Sequence, residues 1–263
     1  MSFIIFFKKE LYELVRTAKG IVFAAIILMT AIGSPLLAKL TPEIVKWAMN
    51  TTNEFDATAG IIDLSMIPDP TSIDSYAQFI SNIGFIGLLA LIIVFAGTVA
   101  GEKHKGTAAY ILTKNISRAD FILAKFTASC VFSLGVMTIS IGVLKLYTDM
   151  LFGDKLIDIK YFLLYFALLF LYIVLILAIT VFSSIFSKNV TGATVMSFLI
   201  FIIMNIISSI PRIGEFLPPK IIEFGIILNT LPIDKIMPNI VITAVLCVFL
   251  VFAGIEIFNR QEL

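Results

Sequence analysis

Charge is what this sequence lacks, and it lacks it in blocks. Six windows hold no Asp, Glu, Lys or Arg: Gly20–Ala38, Ser75–Gly101, Phe126–Leu144, Tyr161–Ser187, Asn189–Pro211 and Ile236–Ile255. The shortest runs 19 residues, which at the helical rise is about 28 Å, close to the ~30 Å hydrocarbon core of a bilayer. Backbone groups in lipid have to be satisfied within their own segment, so windows of this length read as spanning helices. With 59% hydrophobic and 14% charged residues, too little polar surface is left for a water-soluble body. The expected fold class is an all-α integral membrane protein with six transmembrane helices. The spans are expected at about 20–38, 79–101, 124–146, 161–187, 189–210 and 237–256, within one transmembrane domain over 1–263.

Other absences narrow the function. The stretches between the windows, roughly 39–74, 102–125 and 212–235, are too short for an ordinary soluble domain. A GxxxxGK[ST] phosphate loop is missing, so nucleotide hydrolysis by this chain is not expected. A net charge of +1 gives no case for nucleic-acid binding. The two cysteines, Cys130 and Cys247, fall inside expected spans and read as apolar filler. The single histidine, His104, falls in a connector and reads as a solvated loop residue. No span core carries a carboxylate, so the convergent acid–base groups of an intramembrane protease or lipid transferase are missing. No catalytic residue and no metal ligand is assigned. Half-matching repeats around a titratable centre, the mark of many secondary transporters, are not evident. The first window runs on into a longer membrane protein without a small-residue cleavage site, so a cleavable signal peptide is not expected.

What is present gives orientation. Lys8, Lys9, Arg16 and Lys19 precede the first span, against Lys39 and Lys46 after it. Lys103, Lys105, Lys114, Arg118, Lys125, Lys188 and Arg260 fall on the same side as the first group. The positive-inside rule then places both termini in the cytoplasm. Lys outnumbers Arg 15 to 4, with Ile and Phe abundant, which suits an AT-rich bacterial genome and hence a bacterial plasma membrane.

The connectors have their own patterns. Across Phe3–Arg16, one helical face carries Phe3, Ile4, Phe7, Leu11, Leu14 and Val15, and the opposite face Lys8, Lys9, Glu10, Glu13 and Arg16. That is the pattern of an interfacial helix within 1–19, serving as an elbow into the first span, a membrane anchor, or both. Ile221–Leu231 is apolar between Pro218–Pro219 and Pro232 and too short to span. It reads as a re-entrant outer hairpin before the last span or as an amphipathic surface loop. The coupling loop 102–123 lies in the segment GEKHKGTAAYILTKNISRADFILAKF. It should hold a short helix over roughly Lys105–Leu112, a break at Lys114–Asn115, and Ser117 as N-cap of the third span.

In that segment Glu102, Gly106–Thr107, Ile111–Leu112, Ser117–Arg118 and Lys125 resemble the signature of type-2 ATP-binding-cassette (ABC) transporter permeases of the type V fold. Asn115 stands where the family usually has Pro, and Ala124 where Gly commonly precedes the Lys. The resemblance is to the compact bacterial six-span exporters whose ATPase is a separate chain. It implies a coupling helix seated on a cytoplasmic ABC ATPase, with ATP and Mg on that partner and no cofactor in this chain. It also implies two permeases with two ATPases, the second permease being a like copy or a related chain.

The resemblance assigns ATPase coupling to Glu102, Lys105, Gly106, Thr107, Leu112 and Arg118, with Lys188 in a smaller contact at Ser187–Asn189. Glu102 and Arg118 are expected to pair with the partner or with each other. It also places spans two and five at the dimer interface and central cavity. Phe85, Ile92 and Phe95 would then line the pathway on span two, and Thr194, Phe198, Phe201, Asn205 and Ser208 on span five. In a chain with 24 Phe, such a stripe more often packs against neighbouring helices than touches a substrate. Gly97 and Gly101 offer a GxxxG spacing for close helix packing. Span cores without fixed charge favour a hydrophobic or amphipathic exported cargo, such as a peptide toxin, an antimicrobial peptide or a drug. A secondary transporter and a non-transporting sensor or assembly subunit remain the alternatives.

Overall fold

The computed structural model describes residues 3–53, 69–113, 116–153, 159–211, 214–222 and 236–261. An N-terminal helix, α1 (Phe3–Arg16), leads into α2 (Ala18–Asn53). The second span is assembled from α3 (Ser72–Asn82), a π-helical turn at Ile83–Gly87, α4 (Leu88–Phe95) and α5 (Gly97–His104). A short helix, α6 (Thr107–Leu112), precedes α7 (Arg118–Phe152), α8 (Ile159–Phe186), α9 (Val190–Ser208) and α10 (Met237–Asn259). Among the described residues no strand occurs. Among the described residues six helices are long and apolar enough to cross a membrane: Ala18–Ala48, Ser72–His104, Arg118–Phe152, Ile159–Phe186, Val190–Ser208 and Met237–Asn259.

The charge-free windows mark the apolar slab rather than the helix ends. The first three spans run 31, 33 and 35 residues, about 46–53 Å at the helical rise and well beyond a ~30 Å hydrocarbon core. Nothing in Lys39–Trp47 stops α2, which passes through Pro35 and Pro42. Beyond the apolar stretch Lys39 Nζ donates to the Leu151 carbonyl at 3.2 Å, holding α2 against the end of α7.

Local signals set the other boundaries. Ser117 Oγ accepts from the Asp120 N–H at 3.0 Å and starts α7, as its position in the sequence leads one to expect. Asn189 Oδ1 accepts from the Gly192 N–H at 2.8 Å and starts α9. Gly20 is required by a close approach: a Cβ there would fall 1.8 Å from the Leu14 carbonyl oxygen, where α1 bends into α2. The break expected at Lys114–Asn115 lies outside the described residues, as does the apolar segment Ile221–Leu231 beyond Ile222.

Span four is the central column. In its apolar window 61% of residues are buried, against 17% for spans five and six, which lie at the periphery. The main core gathers Phe23 and Ile27 of α2, Phe79, Leu91 and Phe95 of span two, Met137 of α7 and Tyr172 and Ile176 of α8. Polar pairs lock the spans where lipid offers no water. Ser75 and Thr148 hydroxyls lie 2.8 Å apart between spans two and three, and Asn82 Nδ2 donates to Ser34 Oγ at 2.9 Å. A second, smaller core collects Phe6, Val99, Ala108, Phe121, Ile122, Ile185 and Phe258. It sits at the end of the bundle where both described chain ends meet.

Candidate functional site

The connector between spans two and three is shaped by Gly106, whose φ of 69° lies in the left-handed region. This reversal ends α5 and starts α6 two residues later than the Lys105–Leu112 helix expected from the sequence. Ala108 is buried and seats α6 on the smaller core. Lys105, Gly106, Thr107, Ala109 and Tyr110 are exposed, Tyr110 by 64%. Beside it an open groove of about 490 Å³ is lined by Ala109, Leu112, Thr113, Ile116, Ser117 and Arg118.

Beneath α6 lies a buried charge. Lys125, on the first turns of α7, is 3% exposed. Its ammonium donates to Glu10 Oε2 at 2.9 Å and to Glu102 Oε1 at 2.8 Å. The rings of Phe121 and Phe6 lie 5.1 and 5.7 Å away, within cation–π range. Desolvating an ammonium costs several kcal/mol, roughly, unless its partners are well placed. Here two carboxylates and two ring faces surround it. Lys9 Nζ in turn lies 2.9 Å from Glu10 Oε1 and 3.1 Å from Glu13 Oε2. Burial pushes the Glu10 carboxyl up, but the ammoniums of Lys125 and Lys9 outweigh it and hold Glu10 below its usual range. Burial pushes Lys9 down, and Glu10 and Glu13 outweigh that to raise it.

Glu10 therefore does not sit on an outward polar face of α1, as the amphipathic pattern implies. It follows Phe6 by one helical turn, and both side chains point into the smaller core. Phe6 stacks on Phe121, and Phe121 on Phe258, each pair with ring centroids 5.5 Å apart. One charge cluster and one aromatic stack thus join α1, the start of α7 and the end of α10.

Arg118 and Glu102 do not pair with each other. The Arg118 guanidinium reaches the carbonyls of Phe258, Asn259 and Gln261 at 2.8, 3.1 and 2.6 Å. These are the groups a helix C-terminus leaves unsatisfied, and a cation there opposes the helix dipole favourably. Lys103 Nζ adds bonds to the Ile185 carbonyl at 2.7 Å and to Gln261 Oε1 at 2.8 Å. The two flanks of α6 are thereby fastened to the ends of spans four and six. Lys188 is exposed in the loop between spans four and five.

The pathway candidates are placed differently. On span two Phe85, in the π-helical turn, is 64% exposed, but Ile92 and Phe95 are buried in the main core. On span five Phe201 and Ser208 are buried, and Thr194, Phe198 and Asn205 half-buried. Asn205 Nδ2 donates to the Phe201 carbonyl at 2.8 Å, and the Asn205 side chain also engages Tyr172 of span four. The stripe expected to face a cavity is thus the face span five turns to its own bundle, and Val195, Leu199, Ile203 and Ile206 are the exposed ones. The Gly97–Gly101 spacing serves the same packing. A Cβ at either position would meet Val190 of α9 at 3.5–3.6 Å.

Lys125 stood in the signature without a coupling role assigned to it, and Glu10 and Lys103 were read only as surface charge. The available signal was Lys125 itself, a lysine directly before a charge-free window. Among the described residues no group of His, Cys, Asp and Glu fits a metal ion.

A short helix between the second and third of six apolar spans stands where the Glu102–Lys125 signature puts the connector, and the structure adds a buried charge beneath it. No curated protein matches the chain. The family described as ABC-2 family transporter protein matches it over residues 4–263, which takes in α1 from Ile4 onward, the connector and the six spans. The chain is therefore a multi-pass membrane component of a transporter that works with an ABC ATPase subunit, and it belongs to the ABC-2 family.

Proposed function

We propose that the chain is the permease subunit of an ATP-driven exporter in a bacterial plasma membrane, with both termini in the cytoplasm. In this reading α1 is the elbow helix, α6 is the coupling helix, and two permease copies assemble with two ATPase subunits that carry ATP and Mg. The observation that carries the reading is the Lys125 cluster. It ties Glu102, at the base of α6, to α1 and α7 through bonds of 2.8 and 2.9 Å. A push delivered to α6 by a partner then reaches the spans through a stiff body rather than a slack loop, as rigid-body transmission requires. Tyr110 and the neighbouring groove form the exposed part of that body.

The cargo we propose is hydrophobic or amphipathic, a peptide toxin, antimicrobial peptide or drug. The support is that the exposed faces of the spans are apolar and that Phe85 is the exposed aromatic among the pathway candidates. Ile92, Phe95, Phe201 and Ser208 take part only if the bundle opens, since they are buried as the spans now stand.

The test is co-purification with an ABC ATPase encoded beside the chain, followed by cargo-stimulated ATP hydrolysis in nanodiscs. Tyr110→Ala and Glu102→Ala are expected to weaken pairing or stimulation. Transport should stop when the partner's catalytic glutamate is replaced. A pairing indifferent to both variants, or transport without a hydrolysing partner, would point to a secondary transporter instead.

A further inference from the structure

Span two is the span whose helix is interrupted between the two cores. Its α-helical ladder lapses at the single residue Ala96, whose backbone stays in the αR region (φ −58°, ψ −27°) and whose N–H still donates to the Ile92 carbonyl at 2.9 Å. At the gap a side chain from another span takes over backbone groups. Ser184 Oγ of α8 accepts from the N–H of Val99 at 3.0 Å and of Ala100 at 2.8 Å, and its hydroxyl donates to the Ala96 carbonyl at 2.6 Å. The Phe95 carbonyl is taken by Thr98 Oγ1 at 2.7 Å. A hydroxyl inserted into the i→i−4 ladder is a recognised cause of helix bending. Several other buried hydroxyls in the spans bond to carbonyls of their own helix, as Thr180, Ser197 and Thr243 do.

The gap falls where the two cores meet. On one side Leu88, Leu91, Ile92 and Phe95 belong to the main core. On the other, Val99 belongs to the smaller core, and Glu102 and Lys103 are fastened to Lys125, Ile185 and Gln261. Between them Ala96 and Ala100 pack with Ala193 of span five, and Ser184 of span four bonds to the backbone of both. Spans three, four and six, by contrast, run unbroken from one core into the other.

We infer that Ser184 is a positioning residue that pins a joint in span two at Ala96, about which the body holding α6 turns against the membrane core. The inference rests on the reading of α6 as the coupling element. Transmission then divides: spans three, four and six tilt as rods with the driven body, and the membrane part of span two turns independently of it.

The first experiment needs only this chain. Hydrogen exchange in nanodiscs is followed for the peptide covering 96–101 in the native chain, in Ser184→Ala and in Ser183→Ala. Ser183 is the control, because its buried hydroxyl has no hydrogen-bond partner among the described residues. Ser184→Ala should speed local exchange by about tenfold or more while other spans keep their protection, and Ser183→Ala should not. Unchanged exchange in Ser184→Ala, or acceleration spread evenly over all spans, overturns the joint.

The second experiment uses the complex with the ATPase, in a Cys130→Ser/Cys247→Ser background. Spin labels at Phe85→Cys and His104→Cys straddle the gap, and labels at Asp120→Cys and Thr138→Cys sit on unbroken α7 as control. Trapping ATP should shift the first distance by roughly 2 Å or more and leave the second fixed. A complex that turns over ATP with neither distance changing overturns the joint. A chain that binds no ATPase defeats the permease reading instead, and the exchange experiment alone then decides the joint.

Discussion

Replacing Lys125 with Met isolates what the buried cluster contributes. Methionine keeps most of the lysine stem against the Phe6 and Phe121 rings, so the cavity term is small and the loss is electrostatic. Glu10 and Glu102 are left facing each other without the cation that lies 2.9 and 2.8 Å from them. Removing one partner of a buried ion pair costs about 3–5 kcal/mol. At about 2–4 °C per kcal/mol for a chain of this size, the apparent melting temperature should fall by at least roughly 6 °C. Thermal size-exclusion chromatography in detergent at pH 7.5 reads this directly.

The pH dependence supplies the sign. In the native chain the lowered Glu10 carboxyl contributes stability above its usual value of 4.5, and this is lost as the pH falls through its depressed folded value. In Lys125→Met the Glu10 carboxylate keeps only Lys9 beside it, so it is penalised while charged and protonation relieves it. The gap between the two proteins should therefore be widest near neutral pH and close below about pH 4.5. The triple variant Glu10→Gln/Glu102→Gln/Lys125→Met, with no charge left to strand, should recover most of the loss. If Lys125→Met melts with the native chain at pH 7.5, or the triple variant is as unstable as the single one, the cluster does not brace this end of the bundle.

Three further outcomes follow from the same region. Arg118→Ala strips three carbonyl contacts from the end of α10 and should loosen residues 256–261 to limited proteolysis, with Arg118→Lys giving partial rescue. Gly20→Ala drives a Cβ into the Leu14 carbonyl. It should lower stability by more than about 2 kcal/mol or swing α1 away, visible as new cleavage near Arg16. Tyr110→Ala, at an exposed site, should leave the melting temperature within about 2 °C of native and yet reduce ATPase pairing in a pull-down.

The six spans were legible because missing charge is a one-dimensional signal, and the Ser117 cap because capping is local. Which neighbour a face meets is neither. In a bilayer the lipid-facing and the protein-facing sides of a helix are both apolar, so hydropathy cannot rank them. The stripe from Thr194 to Ser208 was visible as a stripe, and its direction, towards Tyr172 and span four, was not. The same holds for charge. Glu10 and Lys125 lie 115 positions apart, and an amphipathic pattern over 14 residues places Glu10 outward because it registers only α1's own sides. Helix ends lie beyond the charge-free windows for a third reason: the sequence marks where lipid ends, and α2 continues through Lys39, Pro42 and Glu43 past that point.

The distribution of polar groups bears on cargo. Ser129, Thr180, Ser197 and Thr243 are buried, and each hydroxyl donates to the carbonyl four residues back in its own helix. Hydroxyls spent this way have no free donor to offer a passing molecule. The fixed charges on the terminal side are likewise consumed, Lys125 by two carboxylates and Arg118 by three carbonyls. A site that selects by hydrogen bonding discriminates strongly, because a wrong ligand strands buried polar groups; an apolar surface discriminates by only about 1–3 kcal/mol per methylene. A pathway between such spans would therefore accept cargo by apolar surface and size. Introducing one polar group at its most exposed aromatic, as in Phe85→Asn, should narrow the range of cargo carried without changing basal ATP hydrolysis by the partner. Equal loss across all cargo, or loss of basal hydrolysis, would mean that Phe85 supports the π-helical turn instead of meeting the cargo.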